Sequence, residues 1–163
     1  MKKILSLTTI FAMSLTLSGC VEALYDTADF IGGIGKKETW KTLALEGDAE
    51  AQFKVGELYC CGERPKFDNV KALYWWCQAA KQGQRDALYN VGKMYDDAAL
   101  YKGNVIPKDD VMAYTYYSLA AEHGSPEGLK NRDEIKPILN EDQIDEADEL
   151  IESWPDIKCE VIR

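Results

Sequence analysis

Gly47-Asp48-Ala49-Glu50-Ala51-Gln52-Phe53-Lys54-Val55-Gly56-Glu57-Leu58-Tyr59 lies without a gap over Gly83-Gln84-Arg85-Asp86-Ala87-Leu88-Tyr89-Asn90-Val91-Gly92-Lys93-Met94-Tyr95. Alanine, valine, glycine and tyrosine coincide at equivalent places, at an offset of 36 residues. A second block, Lys71-Ala72-Leu73-Tyr74-Trp75-Trp76-Cys77-Gln78-Ala79-Ala80-Lys81-Gln82-Gly83, lies over Met112-Ala113-Tyr114-Thr115-Tyr116-Tyr117-Ser118-Leu119-Ala120-Ala121-Glu122-His123-Gly124 at an offset of 41. The second copy therefore carries five extra residues, which fall in its connecting loop. Self-similarity at such a period marks a repeat architecture, in which each unit buries its apolar face only by stacking on a neighbour.

Each unit reads as two helices. Ala51, Val55, Leu58 and Tyr59 recur at i, i+4, i+7 and i+8, one apolar face of a first helix. Ala72, Trp75, Trp76, Ala79 and Ala80 form the matching face of a second. Gly83 and Gly124 stand where a helix C-terminus favours a left-handed residue. Gly56 and Gly92 are the informative oddities, since a glycine inside a helix costs about 1 kcal/mol against alanine. A close approach of the partner helix, with its aromatic rings laid over the gap, offsets that cost. A partial copy precedes the two units, where Trp40, Leu43, Ala44 and Gly47 match Trp76, Ala79, Ala80 and Gly83, and another follows, with Gly128 in the place of Ala51 and Ala87.

These residues resemble the Sel-one-like repeat family, a relative of the tetratricopeptide repeats. The family pattern appears as Ala51, Val55-Gly56, Tyr59, Asp68, Lys71-Ala72, Trp75-Trp76, Ala79-Ala80 and Gly83. In the second copy it is Ala87, Val91-Gly92, Tyr95, Asp109 or Asp110, Ala113, Tyr116-Tyr117, Ala120-Ala121 and Gly124. Met112 replaces the usual lysine, and the first loop, Gly62-Glu63-Arg64-Pro65-Lys66, lacks the usual second glycine. The resemblance implies an all-α fold, a short right-handed α-solenoid of antiparallel helix pairs over residues 36–134, closed by a capping helix and tail over 135–163. Asn140 with Gln143 three residues later makes a capping box, and Ile144, Ala147, Leu150 and Ile151 form the buried stripe of that last helix. Its seven carboxylates between Glu141 and Glu152 read as a solvated face, because a calcium loop needs glycine at its sixth position.

The amino terminus has a separate logic. Lys2 and Lys3 precede an apolar stretch from Ile4 to Leu17 that ends in Leu17-Ser18-Gly19-Cys20. Positive, apolar and small residues in that order form an export signal, and the stretch is shorter than the roughly 20 residues needed to span a bilayer. Its end resembles the lipobox of bacterial lipoproteins, which implies a signal peptide over 1–19, cleavage before Cys20 and acylation there. Cys20 would then be the lipidation point, several acyl chains giving stable anchoring where one gives only marginal binding. Val21 rather than aspartate follows the cysteine, so the resemblance implies an outer-membrane lipoprotein of the bacterial envelope, facing the periplasm or the surface. Residues 20–35, with Gly32-Gly33-Ile34-Gly35, read as a lipidated tether, the alternative being a short helix in which Leu24, Phe30 and Ile31 pack on the domain.

Composition narrows the partners. The chain has 163 residues, 46% of them hydrophobic, with 19 Lys and Arg against 28 Asp and Glu for a net charge of -9. That sign disfavours nucleic acid. Removing residues 1–19 deletes two lysines and brings the charge to -11, so charge does not hold the chain to anionic lipid. His123 is the only histidine and sits at a helix C-terminus, where the macrodipole favours it. No phosphate loop, nucleophile elbow or Ser-x-x-Lys pair occurs, and no cofactor is expected.

Cys60, Cys61, Cys77 and Cys159 remain after Cys20, an even number that suggests disulfides in an exported chain. Three connectivities are open. An ideal hairpin places Cys77 near 10 Å out of register with Cys60, too far for a bridge, which favours Cys159 as the partner of one of them.

The repeat implies a protein or peptide partner, since stacked helix pairs create extended binding surfaces. By resemblance to tetratricopeptide grooves, the exposed groove positions are Glu50, Phe53, Glu57, Asp86, Tyr89, Lys93 and Asp97, with Phe53 and Tyr89 either hydrophobic anchors or core residues. Some cysteine-rich exported members of the same repeat family have been regarded as penicillin-binding or weakly hydrolytic, a competing reading for which no nucleophile here matches a motif. A purely structural envelope component is the third.

Overall fold

A computed structural model describes residues 34–61, 68–96 and 106–159. The chain divides into two compact units, residues 1–39 and 40–163. Cys20, the signal peptide and Asp97 lie outside the described residues, and the fold below is that of the second unit. Seven α-helices are described: α1 Ile34–Leu45, α2 Ala49–Cys60, α3 Asn69–Ala80, α4 Arg85–Asp96, α5 Asp110–Glu122, α6 Pro126–Ile135 and α7 Glu141–Glu152, with a 3-10 turn Lys136–Ile138 before the last. Among the described residues there is no strand, and no helix is long and apolar enough to cross a membrane. Helix α1 begins at Ile34, two residues inside the stretch expected to be tether.

Sequence punctuates these helices at both ends. The side chains of Asp48, Asp68 and Asp109 accept the backbone N–H of Ala51, Lys71 and Met112 at 2.7, 3.0 and 3.0 Å, and Gln84 and Ser125 serve α4 and α6 in the same way. Each such bond satisfies one of the orphan donors of a helix start. The aspartate left open between Asp109 and Asp110 is thus Asp109. Asn140 and Gln143 form a reciprocal capping box. At the other end Gly47, Gly83 and Gly124 adopt φ of 98°, 78° and 84°. After each glycine the next N–H returns to the carbonyl five residues back, Asp48 to Leu43, Gln84 to Ala79 and Ser125 to Ala120. That bond is the helix stop a left-handed residue makes possible.

The five-residue difference between the loops leaves the hairpins unchanged, because one hydrogen bond closes both. Asp68 N–H donates to Tyr59 O at 3.0 Å, and Asp109 N–H donates to Tyr95 O at 2.9 Å. Extra residues are accommodated beyond that closure. Asp109→Ala is expected to cost about 1 kcal/mol, read as a lowered urea midpoint with an unchanged m-value.

Packing follows the pairing. Helix α2 packs on α3, α3 on α4, α4 on α5, α5 on α6, and α7 returns to α5. Trp76 and Tyr117, each about 1% exposed, are the largest buried side chains. Trp76 lies over Gly56, where an added Cβ would collide with the Cδ1 and Nε1 atoms of the indole, and Tyr117 lies over Gly92, where a Cβ would meet ring atoms at 2.7 and 2.9 Å. Gly128 repeats the close approach against Ala120 at 2.8 Å. The Trp76 indole N–H is buried with no hydrogen-bond partner among the described residues. At the opening end Ala44, Ala51 and Val55 form a smaller cluster with Trp40, Leu43, Tyr59 and Trp75, so the partial first copy supplies α1.

The tail after α7 folds back as a strap. Trp154 packs edge-on against His123 at 5.1 Å between ring centroids, Ile157 is buried, and Cys159 is bonded to Cys77 of α3 with a Cα–Cα distance of 6.0 Å. The Tyr116 hydroxyl donates to Cys159 Sγ at 2.9 Å, since a bonded sulfur carries no proton. Cys60 and Cys61 pair with each other at the end of α2. His123 Nδ1 meets the Leu119 carbonyl at 2.9 Å, so the ring closes the end of α5.

Candidate functional site

Three helices, α2, α4 and α6, are the first members of successive pairs and share a register in which Ala51, Ala87 and Gly128 are equivalent and buried. One residue before each stands a carboxylate: Glu50, Asp86 and Glu127. Three residues beyond Glu50 and Asp86 stand the rings, Phe53 and Tyr89, and seven beyond all three stand Glu57, Lys93 and Glu134. Seven residues are almost two helical turns, so these positions share a face.

The α2 part of this face is tied together by Lys54. Its Nζ lies 3.0 Å from Glu57 Oε2, 3.8 Å from Glu50 Oε1 and 4.9 Å above the Phe53 ring. The hydrogen bond with Glu57 raises the ammonium above the usual lysine range against the effect of burial, and the charges of Glu50 and Asp86 add to it. Gln84 Nε2 donates to Glu50 Oε2 at 3.1 Å, connecting the start of α4 to that of α2. Phe53 is 6% exposed. This corrects its expected place among the exposed groove positions: the ring supports the floor from below, with Lys54 as its cover.

Tyr89 is different, being half-buried. Its ring centroid is 5.8 Å from that of Tyr117, and Lys93 Nζ lies 5.7 Å from it. The Tyr117 hydroxyl donates to Asp96 Oδ2 at 2.9 Å, and burial pushes it far above the usual phenol range, so it stays a neutral donor. Burial also raises the Tyr89 hydroxyl; its hydrogen bond with Asn131 acts the other way, and the charges of Glu127, Asp96 and Glu134 add to the rise. Arg85 Nε pairs with Asp86 at 3.0 Å on the exposed rim. Where Lys54, Glu57 and Leu58 meet Trp40 and Cys61, the face opens into a pocket of about 350 Å³.

The groove residues expected on α2 and α4 thus share one side with a third helix that the sequence reading left out. Asn131 of α6 hydrogen-bonds the Tyr89 hydroxyl, and the charges of Glu127 and Glu134 act on it. The signal for them was the Gly128 match, which fixes the register of α6 and aligns Glu127 with Glu50 and Asp86.

The family model of the Sel1 repeat matches residues 49–84 and 85–125, the two copies bounded by Gly83 and Gly124. Residues 49–84 and 85–125 carry two Sel1 repeats. A crystal structure of a protective antigen from uropathogenic Escherichia coli strains, which displays an SLR fold, is similar with a TM-score of 0.62 and 27% identity. The similarity covers 71% of this chain and 24% of the antigen, so the chain spans about a quarter of that protein's length. A Sel1 repeat protein from Oxalobacter formigenes is similar with a TM-score of 0.52 and 20% identity, over 69% of this chain and 88% of that one. No curated protein matches the chain. The Sel1 repeat fold is in general a scaffold for protein–protein interaction, and the face of α2, α4 and α6 presents polar groups together with the half-buried Tyr89 ring.

Proposed function

We propose that this chain is a membrane-tethered envelope lipoprotein whose Sel1 repeats hold a protein or peptide partner along the face of α2, α4 and α6. The observation that carries the reading is Tyr89, an aromatic ring of α4 left half-buried on the face that carries Glu50, Asp86 and Glu127, whereas Tyr114, Tyr116 and Tyr117 of the neighbouring α5 are buried. Partly open aromatic side chains with polar surroundings are what interfaces use as anchors. Leu17-Ser18-Gly19-Cys20 supports the tether, through the lipobox it resembles.

A photo-crosslinking amino acid placed at Lys93 in intact cells is expected to give a discrete adduct that the same group at Glu146 of α7 does not give. Charge reversal at Glu57 is expected to diminish it. Equal adducts from both positions, or none, would overturn the groove. For the tether, Cys20→Ser is expected to move the chain from the membrane fraction to the soluble one, and retention on the membrane would overturn lipidation.

A further inference from the structure

The chemistry of this face selects among peptides. Carboxylates stand at the start of all three first helices, Glu50, Asp86 and Glu127, and a second pair, Glu57 and Glu134, stands about 10 Å further along at 1.5 Å per residue. Ring surface lies between the two rows. Both rings carry an ammonium already: Lys54 over Phe53 and Lys93 over Tyr89. The α2 end therefore displays, with the chain's own Lys54, a cation seated on a ring and held by two carboxylates. At the α4–α6 end the ring is more open; Glu134 is paired with Lys130 at 3.7 Å, while Glu127 closes no ion pair among the described residues. Lys54, Arg85, Lys93 and Lys130 on this side do not cancel Glu50, Glu57, Asp86, Asp96, Glu127 and Glu134, and the whole chain is at -9.

We propose that the partner segment is basic and extended, with an arginine or lysine lodged at Tyr89 beside Glu127 and further cations along the Glu50–Asp86–Glu127 row. The proposal rests on the scaffold reading and names its partner's chemistry. Cations bind well over an aromatic face, and opposite potentials across an interface set specificity and the association rate. An extended segment of eight residues spans about 26 Å at about 3.3 Å per residue. Alternate side chains of such a strand point the same way, which lets successive basic residues reach the rows.

The test uses the full chain in detergent micelles and two fluorescein-labelled octapeptides, one alternating arginine and alanine, the other glutamate and alanine. Fluorescence anisotropy is expected to show the arginine peptide binding at least about tenfold more tightly, with binding by the native chain weakened about tenfold on going to 0.5 M salt. The triple variant E50Q/D86N/E127Q is expected to weaken it about tenfold. The variant E146Q/D148N/E149Q removes the same charge from exposed positions of α7 and is expected to change it less than about twofold. Equal losses in the two variants would show attraction by net charge alone and overturn the proposal, as would equal binding of both peptides or no binding of the arginine peptide. Circular dichroism identifies a variant that has lost its fold, and the salt series needs no variant. If the arginine peptide fails while the Lys93 crosslink persists, the basic class falls and the scaffold stands; if both fail, both fall.

Discussion

Trp76→Ala is expected to destabilise the unit of residues 40–163 by about 3–5 kcal/mol, the usual cost of emptying a buried large aromatic site. The more telling result concerns Gly56. In the native chain Gly56→Ala brings a Cβ onto the Trp76 ring, and because Trp76 is 1% exposed it has no open direction in which to move. Overpacking of this kind costs about 1–3 kcal/mol, which outweighs the gain of about 1 kcal/mol that alanine brings to a helix interior. In the Trp76→Ala background the obstacle is gone and only the gain remains. Gly56→Ala should therefore destabilise the native chain and stabilise the variant, a coupling that a double-mutant cycle in urea measures directly. The same sign in both backgrounds would show that glycine stands there for another reason.

The second large effect belongs to the strap. Cys77 and Cys159 are 82 residues apart in sequence, and closing a loop of that size restricts the unfolded chain by about 4–5 kcal/mol on the chain-entropy account. Cys77→Ser with Cys159→Ser is expected to lower stability by that order, and reduction of the native chain by dithiothreitol should move its guanidinium midpoint toward that of the variant. A double variant within about 0.5 kcal/mol of the native chain would mean that burial of Ile157 and the Trp154–His123 contact hold the tail without help.

The helices were legible because the properties that build them are local: capping aspartates, glycines at the stops, and apolar positions at helical spacing. Gly56 and Gly92 were legible as notches under aromatic rings of the second helix because the repeat displays each twice, and the structure selects Trp76 and Tyr117 from the neighbouring rings. The third groove helix was harder to see. Its copy keeps Gly128 but replaces the capping residue by Ser125 and the ring position by Lys130, so the family pattern thins where α6 begins. Phe53 stayed open between anchor and core for a related reason: periodicity sets the side of a helix on which a ring lies but not whether a neighbouring lysine covers it. Sequence left three cysteine pairings open, because the return path of residues 153–159 is decided by contacts with α3 and α5 that no local pattern encodes.

A stack of hairpins in which each touches only its neighbours can unzip from either end. Here the last hairpin is stitched to the first complete one through Cys159 and Cys77, so peeling from the carboxy-terminal side stops at a covalent knot while the α1 side stays untied. Loss of order is then directional, and amide protons of α1 and α2 should exchange with deuterium before those of α5 and α6 although all belong to one fold.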